Sequence, residues 1–426
     1  MTVFTFIASL LGAMTLGMPI AFALMVCGVA LMLQMNSFDV QILAQKLVDG
    51  ADNYLLMSVP FFLLAGEIMN LGGLSRRIVD AAMAVIGHIR GGLGYVAVLT
   101  ALVLASVSGS AIADTAAVAV LLIPMMRNAG YDVGRSSGLI AAAGIIAPVI
   151  PPSIGFVVFG VAAGLSITKL FMAGIVPGLM MGASLIVTWW WLSRRGTVQP
   201  APRRSLPEIG VAVLRSLWAL GLPVIIIFGL KLGVFTPTEA GVVAAAYALF
   251  VSTVVYRALS LRDLYRALLS AAMTSAIIMF LVAASLVSAW LITVANIPDQ
   301  IVALAQPFIE HKTLLMLVLM AVVVLVGTAL DFTPTILILT PVLMPIIKEA
   351  GIDPIYFGVL FIINNAIGLI TPPVGTVLNV VAGVGRISMS QVTRGVMPFM
   401  VAQFIVMFLL VLFPSIVTVP LRWLGG

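Results

Sequence analysis

The stretch IIAPVIPPSIGF at residues 145–156 carries three prolines inside a long apolar segment, and GLITPPVGTVL at residues 368–378 carries a second proline pair. Proline lacks a backbone N–H and its ring clashes with the carbonyl group four residues earlier, so each pair interrupts a helix. Carbonyl groups freed inside lipid need other partners, because no water is present to bind them. The two stretches predict two broken membrane-spanning helices, at about residues 135–165 and 354–385.

The composition places both stretches in an integral membrane protein. Of the 426 residues, 62% are hydrophobic and 8% are charged, whereas about 25% of the residues in an ordinary soluble domain are charged. The windows at residues 210–231 and 403–422 each hold about 20 mostly apolar residues, which is enough to cross the hydrocarbon core as a helix. We therefore predict an all-α integral membrane protein and exclude a soluble fold.

The charged residues also exclude some classes of function. The net charge of +6 does not indicate nucleic-acid binding, because the basic residues lie mostly in short loops, where they orient membrane helices. We expect the apolar helices to be embedded in a lipid bilayer. With one cysteine and two histidines in the chain, we expect no transition-metal site.

The second proline pair belongs to an internal duplication. Pro151 recurs as Pro372 and Pro152 as Pro373, and 372 minus 151 gives an offset of 221 residues. The same offset relates Pro124 to Pro345, Asp132 to Asp353, Gly164 to Gly385 and Pro177 to Pro398. Internal repeats that contain interrupted helices are typical of secondary transporters, which place their binding sites near the middle of the bilayer.

Further towards the N-terminus the offset is 218, since Gly109 recurs as Gly327 and Ala111 as Ala329. We expect the three-residue change to fall after Ala111 and before Pro124. The predicted units are a first repeat at residues 1–192, a linker at residues 193–213 and a second repeat at residues 214–426.

Arginines predict the orientation of the two repeats. The linker contains Arg194, Arg195, Arg203 and Arg204, and the positive-inside rule places it in the cytoplasm. Arginines flank the first polar segment on both sides, which predicts a re-entrant hairpin at about residues 93–126 with both ends cytoplasmic. Counting the spans onward places the matching hairpin, at about residues 314–347, and the C-terminus on the side of the membrane opposite the cytoplasm. The repeats are thus predicted to have inverted topology, while no charge fixes the turn within the first 35 residues.

Each hairpin tip is rich in side-chain oxygens, in SVSGSAIADT at residues 106–115 and in VGTALDFTPT at residues 326–335. Hydroxyl, carboxylate and backbone oxygens form the donor set that a small alkali cation prefers. Asp114 and Asp331 lie in apolar runs, where an ionised carboxylate is costly and marks a functional site by default. Two alternatives stay open, namely a carboxylate that caps a half-helix without an ion, and hydroxyls that only bond neighbouring helices.

The candidate cation ligands gather at the two tips and the two breaks. They are Ser108, Gly109, Ser110, Asp114, Pro148, Pro152, Gly327, Thr328, Asp331, Thr333, Thr371 and Gly375. For the substrate, Asn364 and Asn365 precede the second break, and Ser153 and Thr376 follow the two proline pairs. A purely structural role is equally open for the two asparagines.

Several motifs, in this order, resemble the large membrane (permease) subunit of tripartite ATP-independent periplasmic (TRAP) transporters. They include LGMPIAFAL at residues 16–24, VPFFLLAGEIM at 59–69, SGSAIADTAAVAVLLIPMM at 108–126 and GVFTPTEAGVVAAAYALF at 233–250. The resemblance implies an ion-transporter-like elevator fold, with a scaffold and a moving domain of two hairpins and two broken helices. It also implies sodium coupling, a small four-helix membrane subunit on a separate polypeptide, a periplasmic substrate-binding protein and an organic acid, commonly a carboxylate, as substrate. The expected location is the bacterial inner membrane.

The resemblance also implies where sodium binds, between each hairpin tip and its partner broken helix. One site would use Ser108, Gly109, Asp114 and the carbonyl groups of residues 148–152. The other would use Gly327, Asp331, Thr333 and residues 371–375.

We therefore predict a transporter subunit with sodium as coupling ion and no other cofactor. An enzyme is disfavoured, because two loop histidines and isolated carboxylates supply no converging nucleophile and base. An alternative within transport is a stand-alone sodium-coupled dicarboxylate or ion exchanger of the same superfamily, which needs no binding protein. The sequence does not identify which organic acid is carried.

Overall fold

The computed structural model describes residues 2–194, 198, 200 and 202–424, and this part of the chain folds into helices without a β-strand. The helices before the linker are α1 (Thr2–Thr15), α2 (Ile20–Gln34), α3 (Val40–Ala51), α4 (Ser58–Leu71), α5 (Leu74–Ile86), α6 (Gly92–Ser108), α7 (Ala111–Asn128), α8 (Val133–Gly144), α9 (Ile154–Ala163) and α10 (Ile167–Ser193). A 3-10 turn, Tyr54–Met57, precedes α4.

The helices after the linker are α11 (Leu206–Lys231), α12 (Pro237–Phe250), α13 (Leu261–Val294), α14 (Ile297–Ile309), α15 (Lys312–Gly327), α16 (Phe332–Glu349), α17 (Pro354–Gly368), α18 (Thr376–Gly385), α19 (Met389–Leu412) and α20 (Ser415–Leu424). A π-helical turn, Val251–Val255, follows α12. Within the described residues, eight helices are long and apolar enough to cross a membrane. The prediction of an all-helical, multi-pass membrane protein is confirmed.

The linker is shorter than the sequence predicts. Helix α11 begins at Leu206, before the predicted linker end at residue 213, because Ser205 and Glu208 form a capping box at its start. Arg195, which belongs to the predicted cytoplasmic linker, lies outside the described residues.

The window at residues 403–422 is not one span. Helix α19 ends at Leu412 and the short helix α20 begins at Ser415. Pro414 stands between them, and a proline cannot donate the backbone hydrogen bond that would continue the helix.

The offset between the repeats changes at the hairpin tips. Helices α7 and α16 begin at Ala111 and Phe332, and 332 minus 111 gives 221. The turn before α7 has two residues, Gly109 and Ser110, whereas the turn before α16 has four, residues 328–331. The expectation that the change follows Ala111 is therefore wrong, and Ala329, a turn residue, is not the counterpart of Ala111.

Two helical hairpins pack against the halves of both broken helices. Hairpin 1, formed by α6 and α7, contacts α8 and α18, and hairpin 2, formed by α15 and α16, contacts α17 and α9. Each hairpin thus touches the first half of the broken helix that follows it and the second half of the other broken helix. The side chain of Arg127 at the end of α7 donates a hydrogen bond to the Gly385 carbonyl at the end of α18.

A second group of helices packs beside this assembly. Helix α4 packs on α12, helices α2 and α3 pack on α13, and α5 packs on α11. The two groups meet where α4 and α5 contact α6 and where α13 contacts α16. The hairpin tips therefore face α13 across the boundary between the groups.

Candidate functional site

The tip of hairpin 1 lies directly on the first break. Gly109 ends α6 in the left-handed region with φ 63°, which a glycine adopts without strain. A Cβ added at Gly109 would lie 2.6 Å from the Pro152 carbonyl oxygen and 2.9 Å from the Ile154 nitrogen. Ser110 then caps α7, its Oγ accepting a hydrogen bond of 3.4 Å from the Ala113 N–H. The sequence places a glycine where two backbones approach each other closely.

The first break is a buried, internally bonded segment. The Ser153 side chain is fully buried, its Oγ accepts from the Phe156 N–H at 3.1 Å, and it donates to the Pro148 carbonyl. Ser153 therefore caps α9 and spans the break. The Ser153 hydroxyl therefore already makes two hydrogen bonds within the protein. Ser153 is not among the residues that line the cavity described below.

Asp114 is a buried carboxylate with one oxygen unsatisfied. The residue is 1% exposed, and the Ser108 hydroxyl donates a hydrogen bond to its Oδ1. Its Oδ2 has no hydrogen-bond partner among the described residues, and neither has Oγ1 of the neighbouring Thr115, which is also fully buried. A buried polar oxygen without a partner is costly, so this pair is open to a ligand that a protein side chain does not supply.

The C-terminal end of α8 lies next to Thr115. A Cβ added at Gly144, the last residue of α8, would overlap with Oγ1 of Thr115. The unpaired hydroxyl oxygen of Thr115 therefore lies against a helix C-terminus, where the carbonyl dipoles carry partial negative charge. Carboxylate, hydroxyl and helix-end carbonyls together suit a small, hard cation.

The tip of hairpin 2 is held by α17. A Cβ added at Gly368, the last residue of α17, would lie 2.9 Å from the carbonyl carbon of Gly327. The Asn365 amide donates a hydrogen bond of 2.8 Å to the Phe332 carbonyl, and the Asn364 amide donates to the Met320 carbonyl. Both asparagines are buried, and their amides anchor hairpin 2. Oδ1 of Asn365 has no partner among the described residues.

The second break differs from the first in its exposure. Pro372 and Pro373 are exposed, whereas the whole of the first break is buried. Thr371 donates to the Ile367 carbonyl at 2.8 Å, and the Thr376 Oγ1 is buried without a partner in the described structure. Gly375 is the N-cap residue of α18, with φ 47°. The two breaks have similar sequences in unlike surroundings.

The two predicted aspartates are not counterparts. Asp331 stands at the N-cap position of α16 and is exposed, with no side-chain hydrogen bond to the first turn. At the offset of 221 its counterpart is Ser110, and the counterpart of Asp114 is Thr335. Thr335 donates its hydroxyl hydrogen to the Asp331 carbonyl at 2.9 Å. The helix register therefore gives the two tips different residues at equivalent positions.

A cavity of about 260 Å³ lies between the two hairpin tips and α13. Both tips present the start of a helix to it, through Ser110 and Asp331, so partial positive charge from two helix N-termini meets there. The opposite wall is α13, with Thr274 as its polar residue beside Ile277 and Ile278. Such a cavity, apolar with a few convergent polar groups, suits a small organic molecule.

Five sequence candidates line this cavity, namely Gly109, Ser110, Pro148, Asp331 and Thr333. Other candidates lie outside the lining, namely Ser108, Asp114, Pro152, Ser153, Gly327, Thr328, Asn364, Asn365, Thr371, Gly375 and Thr376. Among these, the Thr328 hydroxyl donates a hydrogen bond of 2.8 Å to the Leu325 carbonyl of its own helix.

The sequence did not predict Thr115 or Thr274 as site residues. Thr115 could have been recognised from the sequence because it directly follows Asp114. Thr274 is brought to the cavity only by tertiary packing.

The chain was compared with known proteins. Residues 7–416 match the family model described as the tripartite ATP-independent periplasmic transporter, DctM component. The chain belongs to this family. The recognition made from the sequence motifs is confirmed, and the protein is a TRAP transporter large permease and not an enzyme.

Relatives of this TRAP permease cover all or nearly all of its length. It is 56% identical over 425 residues to the 2,3-diketo-L-gulonate TRAP transporter large permease protein of Escherichia coli (strain K12), covering 100% of both chains. It is 37% identical over 405 residues to the sialic acid TRAP transporter large permease protein of Vibrio cholerae, covering 95% of each. Among solved structures, the YdaH transporter of Alcanivorax borkumensis shares the fold, with a TM-score of 0.64, 14% identity and coverage of 91% and 90%.

Proposed function

We propose that this permease carries a hydroxylated organic acid together with sodium. The observation that supports the proposal is the cavity between two helix N-termini, with the unpaired Asp114 carboxylate oxygen buried beneath the tip of hairpin 1. The relatives named above carry 2,3-diketo-L-gulonate and sialic acid by name, and both compounds are carboxylic acids with several hydroxyl groups. The hydroxyls of Ser110, Thr274 and Thr333 offer matching hydrogen-bond partners.

Charge supplies the coupling in this proposal. Helix N-termini attract the substrate carboxylate, whereas the exposed carboxylate of Asp331 in the same cavity repels it. A sodium ion bound near either tip reduces that repulsion, so the anion binds better once sodium is present. Reciprocally, the bound anion strengthens the hold on sodium.

Sodium sites are proposed at both tips. At tip 1 the donors are Asp114, Thr115 and Ser108 with the carbonyl groups near the end of α8, and Thr115 is an addition to the residues predicted from sequence. At tip 2 the donors are the backbone around Gly327, the side chains of Asp331 and Thr333, and the stretch at residues 371–375. The Asn365 Oδ1, which is unpaired, lies beside Gly327 and is a further donor for this site.

Movement of the hairpins against the scaffold is the proposed transport step. The hairpins and broken helices form one packed group, and α2, α4, α12 and α13 belong to the other. An elevator motion slides the first group along α4 and α13 and carries the cavity across the bilayer. In this proposal the repeats have inverted topology in the bacterial inner membrane, the hairpins are re-entrant, the linker is cytoplasmic and the C-terminus is periplasmic.

The proposed complex has two further components, a separate small membrane subunit and a periplasmic binding protein. The test is uptake of labelled 2,3-diketo-L-gulonate into proteoliposomes that contain the permease and its small subunit, with the binding protein outside and an inward sodium gradient. We expect uptake that requires sodium and all three proteins. Equal uptake by the permease alone would instead support a stand-alone exchanger, and uptake without a sodium gradient would contradict the coupling.

A further inference from the structure

A second cavity, unrelated to the hairpin tips, lies between α5, α11 and the end of α12. Its volume is about 1380 Å³. Its charged lining residues are Arg76, Arg77, Asp80, Arg204, Glu208 and Arg215. Four arginines against two carboxylates leave an excess of two positive charges. The cavity is therefore suited to an anion.

The arginines around this cavity are partly held in place. Arg77 stacks on the Tyr256 ring at 3.7 Å and donates a hydrogen bond to the Gly73 carbonyl at 3.1 Å. The Tyr256 hydroxyl donates to the Arg215 carbonyl at 2.7 Å. These contacts tie α5, α11 and the segment after α12 into one wall. Arg76 and Arg215 remain exposed, so their guanidinium groups are accessible to a ligand.

One of the two carboxylates in the cavity, that of Glu208, forms part of a helix cap. Oε2 of Glu208 accepts a hydrogen bond of 2.9 Å from the Ser205 N–H, as part of the cap of α11. Its charge therefore serves the helix start, where it is favourable. The guanidinium groups of the remaining wall can form paired hydrogen bonds to a phosphate, for which their geometry is suited.

The cavity continues into an apolar strip. Val211, Leu214 and Trp218 line it and are 50%, 67% and 46% exposed. Their spacing of three and four residues places them on one face of α11. Only 22% of the most apolar window of this helix is buried inside the protein, so its outer face meets lipid. Positive charge at one end and an apolar strip along the span match the two parts of a phospholipid.

We propose that this cavity binds an anionic phospholipid, with the phosphodiester between Arg76 and Arg215 and an acyl chain along α11. A free phosphate would leave the apolar strip uncovered. An acidic peptide would bring backbone polar groups against a lipid-facing helix, where they lack partners unless the peptide is itself a helix. Basic pockets at the ends of membrane helices commonly bind such headgroups.

The test is lipid binding to the purified, delipidated full chain, measured by native mass spectrometry with phosphatidylglycerol and with phosphatidylcholine. We expect phosphatidylglycerol to bind more tightly than phosphatidylcholine. The double variant Arg76→Gln/Arg215→Gln should bind phosphatidylglycerol on the order of tenfold more weakly. The matched control is Arg262→Gln/Arg266→Gln, which removes the same charge from exposed positions outside the cavity and should bind as the wild type does.

A third variant, Leu214→Ser, tests the acyl-chain half of the site without changing charge. It should weaken binding of the long-chain lipid and leave thermal unfolding in detergent unchanged, because Leu214 is exposed. Equal weakening in the arginine variant and in its control would refute the site. Displacement of the lipid by millimolar inorganic phosphate, or by the small membrane subunit, would show a different occupant and overturn the proposal.

Discussion

The hydroxyl of Ser108, the last residue of α6, donates its hydrogen bond to Oδ1 of Asp114 in the first turn of α7. The bond crosses the tip of hairpin 1 and is buried from solvent, while Oδ2 of the same carboxylate lacks a partner in the described part of the chain. One oxygen of the Asp114 carboxylate is thus hydrogen-bonded within the tip, whereas the other is free to bind a ligand. This asymmetry makes Asp114 the residue on which the proposed sodium site can be tested.

Replacing Asp114 by asparagine removes its charge and keeps the acceptor for Ser108. We expect the sodium concentration for half-maximal uptake to rise roughly tenfold or more, because a charge next to a partly desolvated cation contributes more than 1.4 kcal/mol. The measurement is the sodium dependence of substrate uptake in proteoliposomes. Asp331→Asn should give a smaller shift, since Asp331 is exposed. An unchanged sodium dependence in both variants would count against sodium sites at the tips.

Replacing Gly109 by alanine should destabilise the protein and abolish uptake. The left-handed backbone at φ 63° costs a non-glycine residue roughly 1–2 kcal/mol, and the new Cβ would meet the Pro152 carbonyl oxygen. The measurement is the thermal unfolding midpoint in detergent. The matched control is Gly383→Ala in α18, where a Cβ meets nothing within 4 Å, and its midpoint should be equal or higher. A Gly109→Ala protein with the wild-type midpoint would show that the tip does not pack as described.

Gly66 on α4 tests the contact between the two groups of helices. A Cβ added there would lie 2.7 Å from the Ser108 Cβ on hairpin 1. We expect Gly66→Val to lower the uptake rate at least tenfold, because the larger side chain obstructs sliding of the tip past α4. Uptake and surface expression are measured together. Gly210→Val, on a face of α11 with no neighbour within 4 Å, serves as the control, and wild-type uptake by Gly66→Val would contradict the proposed motion.

Thr274 tests whether the scaffold wall of the cavity contacts the substrate. Thr274→Val keeps the shape and removes the hydroxyl, so the KM for a hydroxylated acid should rise about two- to tenfold with kcat nearly unchanged, as the loss of one neutral hydrogen bond implies. The control is Thr293→Val on the same helix, where the hydroxyl bonds the Ala289 carbonyl outside the cavity. An unchanged KM for Thr274→Val would exclude a substrate contact at this position.

Some helix ends were predictable from the chain, whereas the start of α11 and the break at Pro414 were not. The predicted hairpin at residues 314–347 corresponds to α15 and α16, which extend from Lys312 to Glu349. The predicted break around Pro372 corresponds to the gap between Gly368 and Thr376. Proline and glycine act through local backbone geometry, which is why their effect is readable without the fold.

The candidate site was predictable only in part. Residues at the tips, such as Ser110 and Asp331, were found because polar groups in apolar runs are conspicuous. The amides of Asn364 and Asn365 anchor hairpin 2 through carbonyl groups that lie 44 and 33 residues away along the chain. A partner at such a distance is invisible to a local pattern.

The sequence by itself determined that this protein is a helical membrane transporter, that helices break around its two proline pairs, and to which family it belongs, since hydrophobicity, proline and glycine act locally. The tertiary structure decided that Asp114 is buried beneath the tip while Asp331 faces the cavity. It also brought Thr274 of α13 to the same cavity. Burial and convergence depend on which helices pack together, and that packing joins residues that lie far apart in the chain.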